Sequence, residues 1–453
     1  MDSSITNEVI GSSLELNEQQ QSAFEMMRQY IQDDNSNEVF ILRGSAGTGK
    51  TTLMRSLTLY LGDMHKNFCL LAPTGRAANI LSQNSNIRAK TLHSFLYTLS
   101  EVEKDDFVRM QFVPRTNYLS EATVLIVDES SMISDLPANN EVFFSVNSLL
   151  QDLISFYRSC PDGSKLIFVG DTFQLPPINE SSSAALDTEK LLKKYQINCI
   201  SYTLTEILRQ KGESYILQNG TLLRNFMEQK RNFEPILKFR NLYRPELAVS
   251  HFCKLFVPDN PMETVFLAYK NSTIHKLNRA IRKQMFDGSD QIFVSNEQVV
   301  LSKTTYKNAY LTSSEIGKVI SFDPNSVETV AEIQFAEAVF QFTALSGEII
   351  EFKSKFDLDF LLSDVNTDTP EKNKKLWADR KRNNIFFRES NNPKDDPYLS
   401  ALKVKYGYAI TAHKAQGGEW NNVFLYPEYP LNENRLKWIY TSITRAKNEL
   451  YSF

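Results

Sequence analysis

Residues 44–52, "GSAGTGKTT", crowd three glycines, four hydroxyls and one lysine into a single short stretch. They satisfy G-x-x-x-x-G-K-[ST]. Gly44, Gly47 and Gly49 let the backbone curl, so that its N–H groups point inward at phosphate oxygens. Gly44, Ser45, Ala46, Gly47, Thr48, Gly49, Lys50, Thr51 and Thr52 therefore form a candidate phosphate cradle. A helix starting at Lys50 adds its dipole. Lys50 would reach the β and γ phosphates, and the Thr51 hydroxyl would ligate Mg²⁺. Such a cradle needs an acidic partner, and "VLIVDES" (124–130) offers one. Asp128 would hold the Mg²⁺ shell, and Glu129 would orient and deprotonate an attacking water. In "GDTFQLPPI" (170–178), the Gln174 amide is placed to sense a γ-phosphate, and the prolines stiffen its loop. Asp171 reads as a turn residue.

These groups need strands to present them. "EVFILR" (38–43), "FCLLAPT" (68–74), "ATVLIVDE" (122–129) and "KLIFVGD" (165–171) are short apolar runs with polar ends. Helical patterns lie between them at 50–61 and 75–83, and another precedes them at 16–31. Strands alternating with helices imply a parallel sheet, which binds ligands at the carboxyl ends of its strands. Gln20 has two readings: it closes a capping box with Asn17, or it reaches a nucleotide. A second alternating block opens near residue 200 with the expected strand "INCISYTLTE" (197–206). It continues with strands at 263–271 and 422–429 and a helix at 272–286. Two stretches interrupt the rhythm. Residues 96–120 read as a β-hairpin insertion. Residues 290–397 read as a small antiparallel β unit edged by polar, Asn/Asp/Pro-rich segments.

The chain has 453 residues and a net charge of −4, which argues against a purely electrostatic nucleic-acid binder. Cys69, Cys160, Cys199 and Cys253 are scattered, so we expect reduced thiols in an intracellular, soluble, cytoplasmic protein with no zinc site. No signal peptide or membrane-spanning run is visible.

The ordered set "LNEQQ", "GSAGTGKTT", "LLAPTGRAA", "KTLHSF", "VLIVDES", "GDTFQLPP", "LTEILRQ", "YAITAHKAQGGEW" and "YTSITRA" resembles the motif series of superfamily 1 helicases. "APTGRAA", "TLHSF" and "ITAHKAQG" resemble the 5′→3′ branch, the RecD-like and Dda-like enzymes. The resemblance implies an α/β fold of two RecA-like P-loop motor domains, each a parallel sheet flanked by helices, with ATP bound between them. On this basis residues 1–95 and 121–200 form the first motor, and 201–289 with 398–453 the second. The hairpin at 96–120 takes the place of a strand-separating wedge, with Phe112 at its far end stacking on the last base pair. The insertion at 290–397 takes the place of an SH3-like domain.

The resemblance also implies roles. Gln20 would contact adenine, and Gln174 would couple the γ-phosphate to the DNA path. Arg209 and Arg445 would be arginine fingers from the second motor. Gln416, Gly418 and Glu419 would face the nucleotide. Single-stranded DNA would meet Pro73, Thr74, Arg76, Thr91, His93, Ser94, Asn271, His413 and Lys414. Contacts of this kind go to phosphates and are indifferent to sequence. Phe95 and Phe173 are candidates for base stacking, and Trp420 for packing behind the glycine turn. The implied function is a Mg-ATP-driven translocase and helicase acting on single strands and duplex junctions as a monomer. Two alternatives stay open: an RNA helicase of the same superfamily, and a nucleotide-gated DNA-binding switch that does not unwind.

Overall fold

The computed structural model describes residues 16–33, 38–104, 107–139, 143–207, 214–231, 235–241, 244–288, 290–302, 311, 314–343, 348–365, 367 and 369–453. The chain divides into two units. The first comprises residues up to 100 together with 110–217, and the second 101–109 with 218–453.

In the first unit, α1 (Glu18–Gln32) starts at Asn17, which caps it. It turns Ala23, Phe24, Met27 and Ile31 inward, as the sequence spacing predicts. β1 (Val39–Gly44) leads through the glycine loop into α2 (Lys50–Asp63). β2 (Asn67–Ala72), α3 (Gly75–Ser85), β3 (Lys90–Thr91) and α4 (Leu92–Leu96) follow. After the hairpin strands β4 (Tyr97–Lys104) and β5 (Phe107–Pro114) the chain returns to the main sheet as β6 (Thr123–Val127). β7 (Pro137–Asn139), β8 (Phe143–Ser148), α5 (Leu149–Arg158), β9 (Lys165–Gly170) and β10 (Cys199–Leu204) complete the unit. The main sheet runs β10-β1-β9-β6-β2-β3, and all its pairings are parallel. Ile41, Leu125, Val127, Leu166 and Phe168 form the centre of its core.

Two expectations change here. The strand at 199–204 does not open the second motor: it pairs in parallel with β1, Val39 opposite Cys199 through Gly44 opposite Leu204. Six matched positions beside a buried strand fix it to the first sheet. The hairpin is not isolated either. β8 lies parallel to β5 and antiparallel to β7, giving a four-stranded sheet β4-β5-β8-β7. The stretch "NEVFFSVNS" (140–148) alternates apolar and polar residues only over "FSVN" (144–147), a signal too short to announce the pairing.

In the second unit, β11 (Arg240–Asn241), β12 (Thr264–Ala268), β18 (Ala409–Thr411), β19 (Trp420–Leu425) and β20 (Ala446–Ser452) form a parallel sheet, order β11-β20-β19-β12-β18. Helices α6 (Pro245–Leu255) and α7 (Asn271–Met285) pack on β12. Between β12 and β18 in sequence lies an antiparallel sheet, β16-β15-β14-β13-β17. Its members are β13 (Glu297–Leu301), β14 (Ile316–Val330), β15 (Ile333–Thr343), β16 (Ile349–Asp357) and β17 (Val404–Tyr406). The inserted sheet shares one continuous core with the parallel one: Phe252, Phe266 and Phe424 belong to the same buried cluster as Val319, Phe340 and Phe356. At the edge of this insertion the run 371–382, whose charged pattern reads as a solvated helix face, lies in α8 (Pro370–Asn383). Thr369 caps it, and Leu376 and Trp377 are buried beneath its charged face.

The inserted sheet depends on a close approach. A Cβ at Gly317, on β14, would lie 2.4 Å from Phe342 Cδ1 and 2.5 Å from the backbone oxygen of Gln341. Backbone on a paired strand cannot move aside without loosening the ladder. Gly317→Ala should therefore destabilise the protein by about 1–3 kcal/mol, read as a lowered denaturant midpoint. An unchanged midpoint would mean that the sheet yields at no cost.

Candidate active site

The sheet order sets β1, β9 and β6 side by side, so the segments after Gly44, Gly170 and Val127 leave from one edge. This is where open α/β sheets hold ligands. The cradle bends through Gly47 (φ 83°) and Gly49 (φ 80°), a left-handed backbone that glycine adopts without strain. Lys50 Nζ lies over the loop and donates to the carbonyls of Gly44 (2.7 Å) and Ser45 (3.1 Å). Thr48 Oγ1 donates to Ser45 O at 2.9 Å, which braces the turn. Thr51 is exposed in the first turn of α2.

Gln20 resolves into a cap that also grips the loop. Its Oε1 accepts from Asn17 N (3.1 Å), and Asn17 Oδ1 accepts from Gln20 N (2.8 Å). Its Nε2 faces the carbonyls of Thr48 (3.5 Å) and Gly49 (3.3 Å).

Past β6, Asp128 Oδ1 accepts from Glu129 N at 2.8 Å. Glu129 takes φ 49°, an uncommon conformation for a residue with a side chain and one that gathers at functional sites. Burial raises the Asp128 carboxyl above its ordinary value, against the opposing pulls of the Glu129 N–H and of Lys50. Past β9, Asp171 Oδ1 accepts from Phe173 N at 2.9 Å, making the turn expected of it. Gln174 is only 5% exposed, and its Oε1 has no hydrogen-bond partner. An unpaired buried amide oxygen costs about 1–3 kcal/mol. Two residues that the sequence did not single out tie these loops together. Glu180 Oε1 accepts from Ser134 Oγ (2.7 Å) and Asp135 N (3.0 Å), and Ser183 Oγ donates to Ser130 O (3.3 Å). Nothing in their local sequence signals a partner 45 or more residues away.

The residues assigned to a DNA path divide. Thr74 follows β2 and Thr91 ends β3, but their hydroxyls cap α3 and α4, accepting from Ala77 N (3.2 Å) and Ser94 N (3.1 Å). Arg76 is 3% exposed and is not displayed on the surface. Pro73 and His93 are half-buried, and Ser94 is exposed. Phe112 is a correction. It stands at the base of the hairpin, with its ring centroid 5.1 Å from His93, 5.2 Å from Tyr97 and 5.3 Å from Phe143. Packed on three aromatic rings it belongs to the core edge, not to a tip. The hairpin turn at 105–106 lies outside the described residues, as does Arg209. Phe95 is fully buried in the core against Tyr118 and Phe156, whereas Phe173 is half-buried.

In the second unit, Thr411 caps the single-turn helix α9 (Ala412–Ala415). His413 and Lys414 are half-buried, and Lys414 Nζ donates to Ser302 Oγ at 3.0 Å. Gly417 then takes φ 74°, ending the turn as expected. Gln416 is buried, and Glu419 pairs with Lys447 at 3.7 Å. Arg445 follows α10 (Arg435–Ile443) and is 4% exposed. Its Nε donates to Thr441 O (3.0 Å), Nη1 to Gly418 O (3.1 Å) and Nη2 to Thr444 Oγ1 (3.2 Å). The structure thus joins Gly418 and Arg445 across 27 residues, with the guanidinium held inside the unit. Trp420 is fully buried and donates from Nε1 to Pro261 O at 2.9 Å, so it packs behind the turn. Asn271 opens α7, exposed.

Among the described residues, no cluster of three or more His, Cys, Asp or Glu side chains could hold a metal ion. Thr51 and Asp128 offer a hydroxyl and a carboxylate. These hard oxygen donors suit Mg²⁺, which completes its shell with water and phosphate oxygens. No described helix is long and apolar enough to cross a membrane.

A glycine phosphate loop, an acidic strand end and a buried glutamine on one parallel edge define a P-loop nucleotide hydrolase, built on two α/β units. The comparisons narrow the class. The AAA domain family matches residues 15–230, and the UvrD-like helicase C-terminal domain matches 406–451. The chain is 24% identical to the ATP-dependent DNA helicase dda of Enterobacteria phage T4, over 96% of this chain and 99% of that one. It is also 24% identical to the RecBCD enzyme subunit RecD of Buchnera aphidicola (subsp. Schizaphis graminum), over 92% of this chain and 70% of that one. The solved structure of Pif1 helicase from Bacteroides with ADP-AlF3 and single-stranded DNA shares the fold: TM-score 0.50, 15% identity, covering 97% of this chain and 92% of that one. These similarities are consistent with a superfamily 1 helicase of the 5′→3′ branch, and the parallel sheets flanked by helices fit a RecA-like α/β fold.

Burial takes the His93 imidazole from its ordinary 6.5 down to about 4. Between those values the unfolded chain binds more protons than the folded one. Stability from this group is therefore full above pH 6.5 and is lost as the pH falls toward 4. His93→Phe should remove part of the acid sensitivity, narrowing the gap between denaturant midpoints at about pH 7 and about pH 5. A native His93 that titrates near 6.5 by NMR would contradict this burial.

Proposed function

We propose that this chain is an ATP-dependent DNA helicase that moves 5′→3′ along single-stranded DNA. The observation that carries the reading is the joint placement of Lys50, Asp128–Glu129 and Gln174 at the ends of β1, β6 and β9. Similarity to helicases named for DNA, running nearly end to end with dda, supports the choice of substrate.

The loop amides and Lys50 would hold the β and γ phosphates, drawing the ammonium off the carbonyls of Gly44 and Ser45. Thr51 and Asp128 would hold Mg²⁺, whose chemistry is to offset charge on the phosphate oxygens. Glu129 would orient the attacking water and take its proton. Its left-handed backbone turns the side chain away from the strand direction, and the Glu180 and Ser183 braces keep that loop in place. The free Oε1 of Gln174 would accept a hydrogen bond from the water or from a neighbouring donor in the loaded site. Arg209 and Arg445 remain proposed arginine fingers. For Arg445 that role requires release of the bonds to Thr441 and Gly418, which otherwise hold it ready and buried. His93, His413 and Lys414 would meet the strand, with His93 acting as a neutral donor. We read the hairpin β4–β5 as the strand separator and the antiparallel sheet β13–β17 as the SH3-like insertion.

ATP turnover should rise with single-stranded DNA and more weakly with RNA. A rate indifferent to both would overturn the reading. Lys50→Ala should bind DNA normally while ATP turnover falls by about 10²–10³. Duplexes carrying only a 5′ or only a 3′ tail test polarity, and unwinding restricted to the 3′ tail would refute the direction proposed.

A further inference from the structure

Three neighbouring polar residues at the start of α1 reach two distant places at once. Gln20 grips the phosphate loop through the carbonyls of Thr48 and Gly49. Gln19, one residue earlier, grips the far end of β10. Its Oε1 accepts from both Thr205 N (2.8 Å) and Glu206 N (3.0 Å), and its Nε2 donates to Thr205 Oγ1 (2.8 Å). Asn17, the cap residue, adds a fourth bond, from its Nδ2 to Glu206 Oε2 at 2.6 Å. All these partners belong to the first unit.

The place gripped is not arbitrary. Thr205 and Glu206 directly follow the last strand of the first sheet, and the chain leaves the first unit within the next dozen or so residues, at 217. Arg209 stands three positions past Glu206. Strand pairing ends at Leu204, so the two amides held by Gln19 would otherwise turn to solvent. A single side-chain oxygen that accepts from two consecutive amides fixes both the position and the direction of the departing chain. Asn17, Gln19 and Gln20 share one helix turn, so the Thr48–Gly49 carbonyls and Thr205 are linked by a short run of hydrogen bonds through the Asn17–Gln20 capping box.

We propose that Gln19 is a positioning residue. It ties the exit of the first unit to the phosphate loop, so that occupancy of the loop is transmitted to Thr205 and Glu206, where the chain leaves the last strand of that unit. This rests on the helicase reading above, and it adds a residue that touches neither nucleotide nor strand.

The test uses the full chain in three forms: wild type, Gln19→Met and Gln19→Glu. Methionine keeps the length and loses the hydrogen bonds. Glutamate keeps an oxygen that accepts both amides, and the Thr205 hydroxyl can turn to donate to it. Affinity for a fluorescent ATP analogue, turnover with and without single-stranded DNA, and melting temperature are measured for each. We expect ATP-analogue affinity within about twofold for all three. DNA-stimulated kcat should fall about tenfold in Gln19→Met and recover to within about threefold of wild type in Gln19→Glu. Wild-type stimulated turnover in Gln19→Met would overturn the proposal. So would affinity, turnover and melting temperature that fall together without rescue by Gln19→Glu, since that marks a purely structural clamp. A wild-type protein with no DNA-stimulated turnover would overturn the helicase reading itself, an outcome distinct from either.

Discussion

The adjacency of β6, β9 and β1 in a parallel sheet is the constraint on which the candidate site rests. In sequence these strands are separated by most of a unit; in space β9 sits between the other two. The registers place Phe40 opposite Ile167 and Val127 opposite Phe168, so the loops that follow leave the sheet close together. Every interior position in this trio except Arg43 is apolar and buried. A slip of one residue would carry polar strand ends into buried apolar positions, which costs free energy. The same burial that stabilises the sheet therefore sets the spacing of Lys50, Asp128 and Gln174. Close approach tightens it further: a Cβ on Gly170 would meet Leu186 Cδ1 at 2.8 Å and Ser131 N at 3.1 Å. Only a residue without a side chain lets the loop after β6 lie against the end of β9.

Local costs collect on this edge. Glu129 adopts a left-handed backbone, Gln174 has an unpaired buried oxygen, and the Ser131 hydroxyl is buried without a partner. Each runs against stability, by about 1–3 kcal/mol for an unsatisfied polar group and a similar amount for a strained backbone. None sits in the centre of the core, where the strands are uninterrupted Val, Ile, Leu and Phe. The costs fall at strand ends, where the sheet holds geometry fixed and a bound nucleotide would supply the missing partners.

Much of this was legible in the sequence because it depends on local pattern. The four apolar runs became strands, the glycine loop bends where its glycines lie, and Gly417 ends the turn in "TAHKAQGGEW". What was not legible depends on which element meets which. The run 197–206 has the composition of a strand, but nothing in it says which sheet it joins; only pairing with β1 decides that. Phe112 looks like a hairpin tip until the count of residues to the turn and three aromatic neighbours place it at the base. Glu180, Ser183 and Gln19 carry no local mark, since their partners are set by tertiary folding.

The threonines show how resemblance to a motif can miss the use a side chain is put to. Thr74 follows β2, Thr91 ends β3 and Thr411 ends β18, and each hydroxyl accepts the backbone N–H of the residue three places on. The same strand–threonine–helix turn thus recurs in both units, and at each the threonine shapes the chain before it can serve a ligand. A cap is worth about 1 kcal/mol to the helix it starts, so these positions are already fixed by folding. What remains for a strand of nucleic acid is the residues just beyond: Ser94, His93, His413 and Lys414. Burial keeps both histidines toward their neutral form. On the proposed reading, hydroxyls, neutral imidazoles and one lysine would hold phosphates by short directional bonds more than by summed charge, and a chain of net charge −4 would follow a polyanion without gripping it too tightly to move.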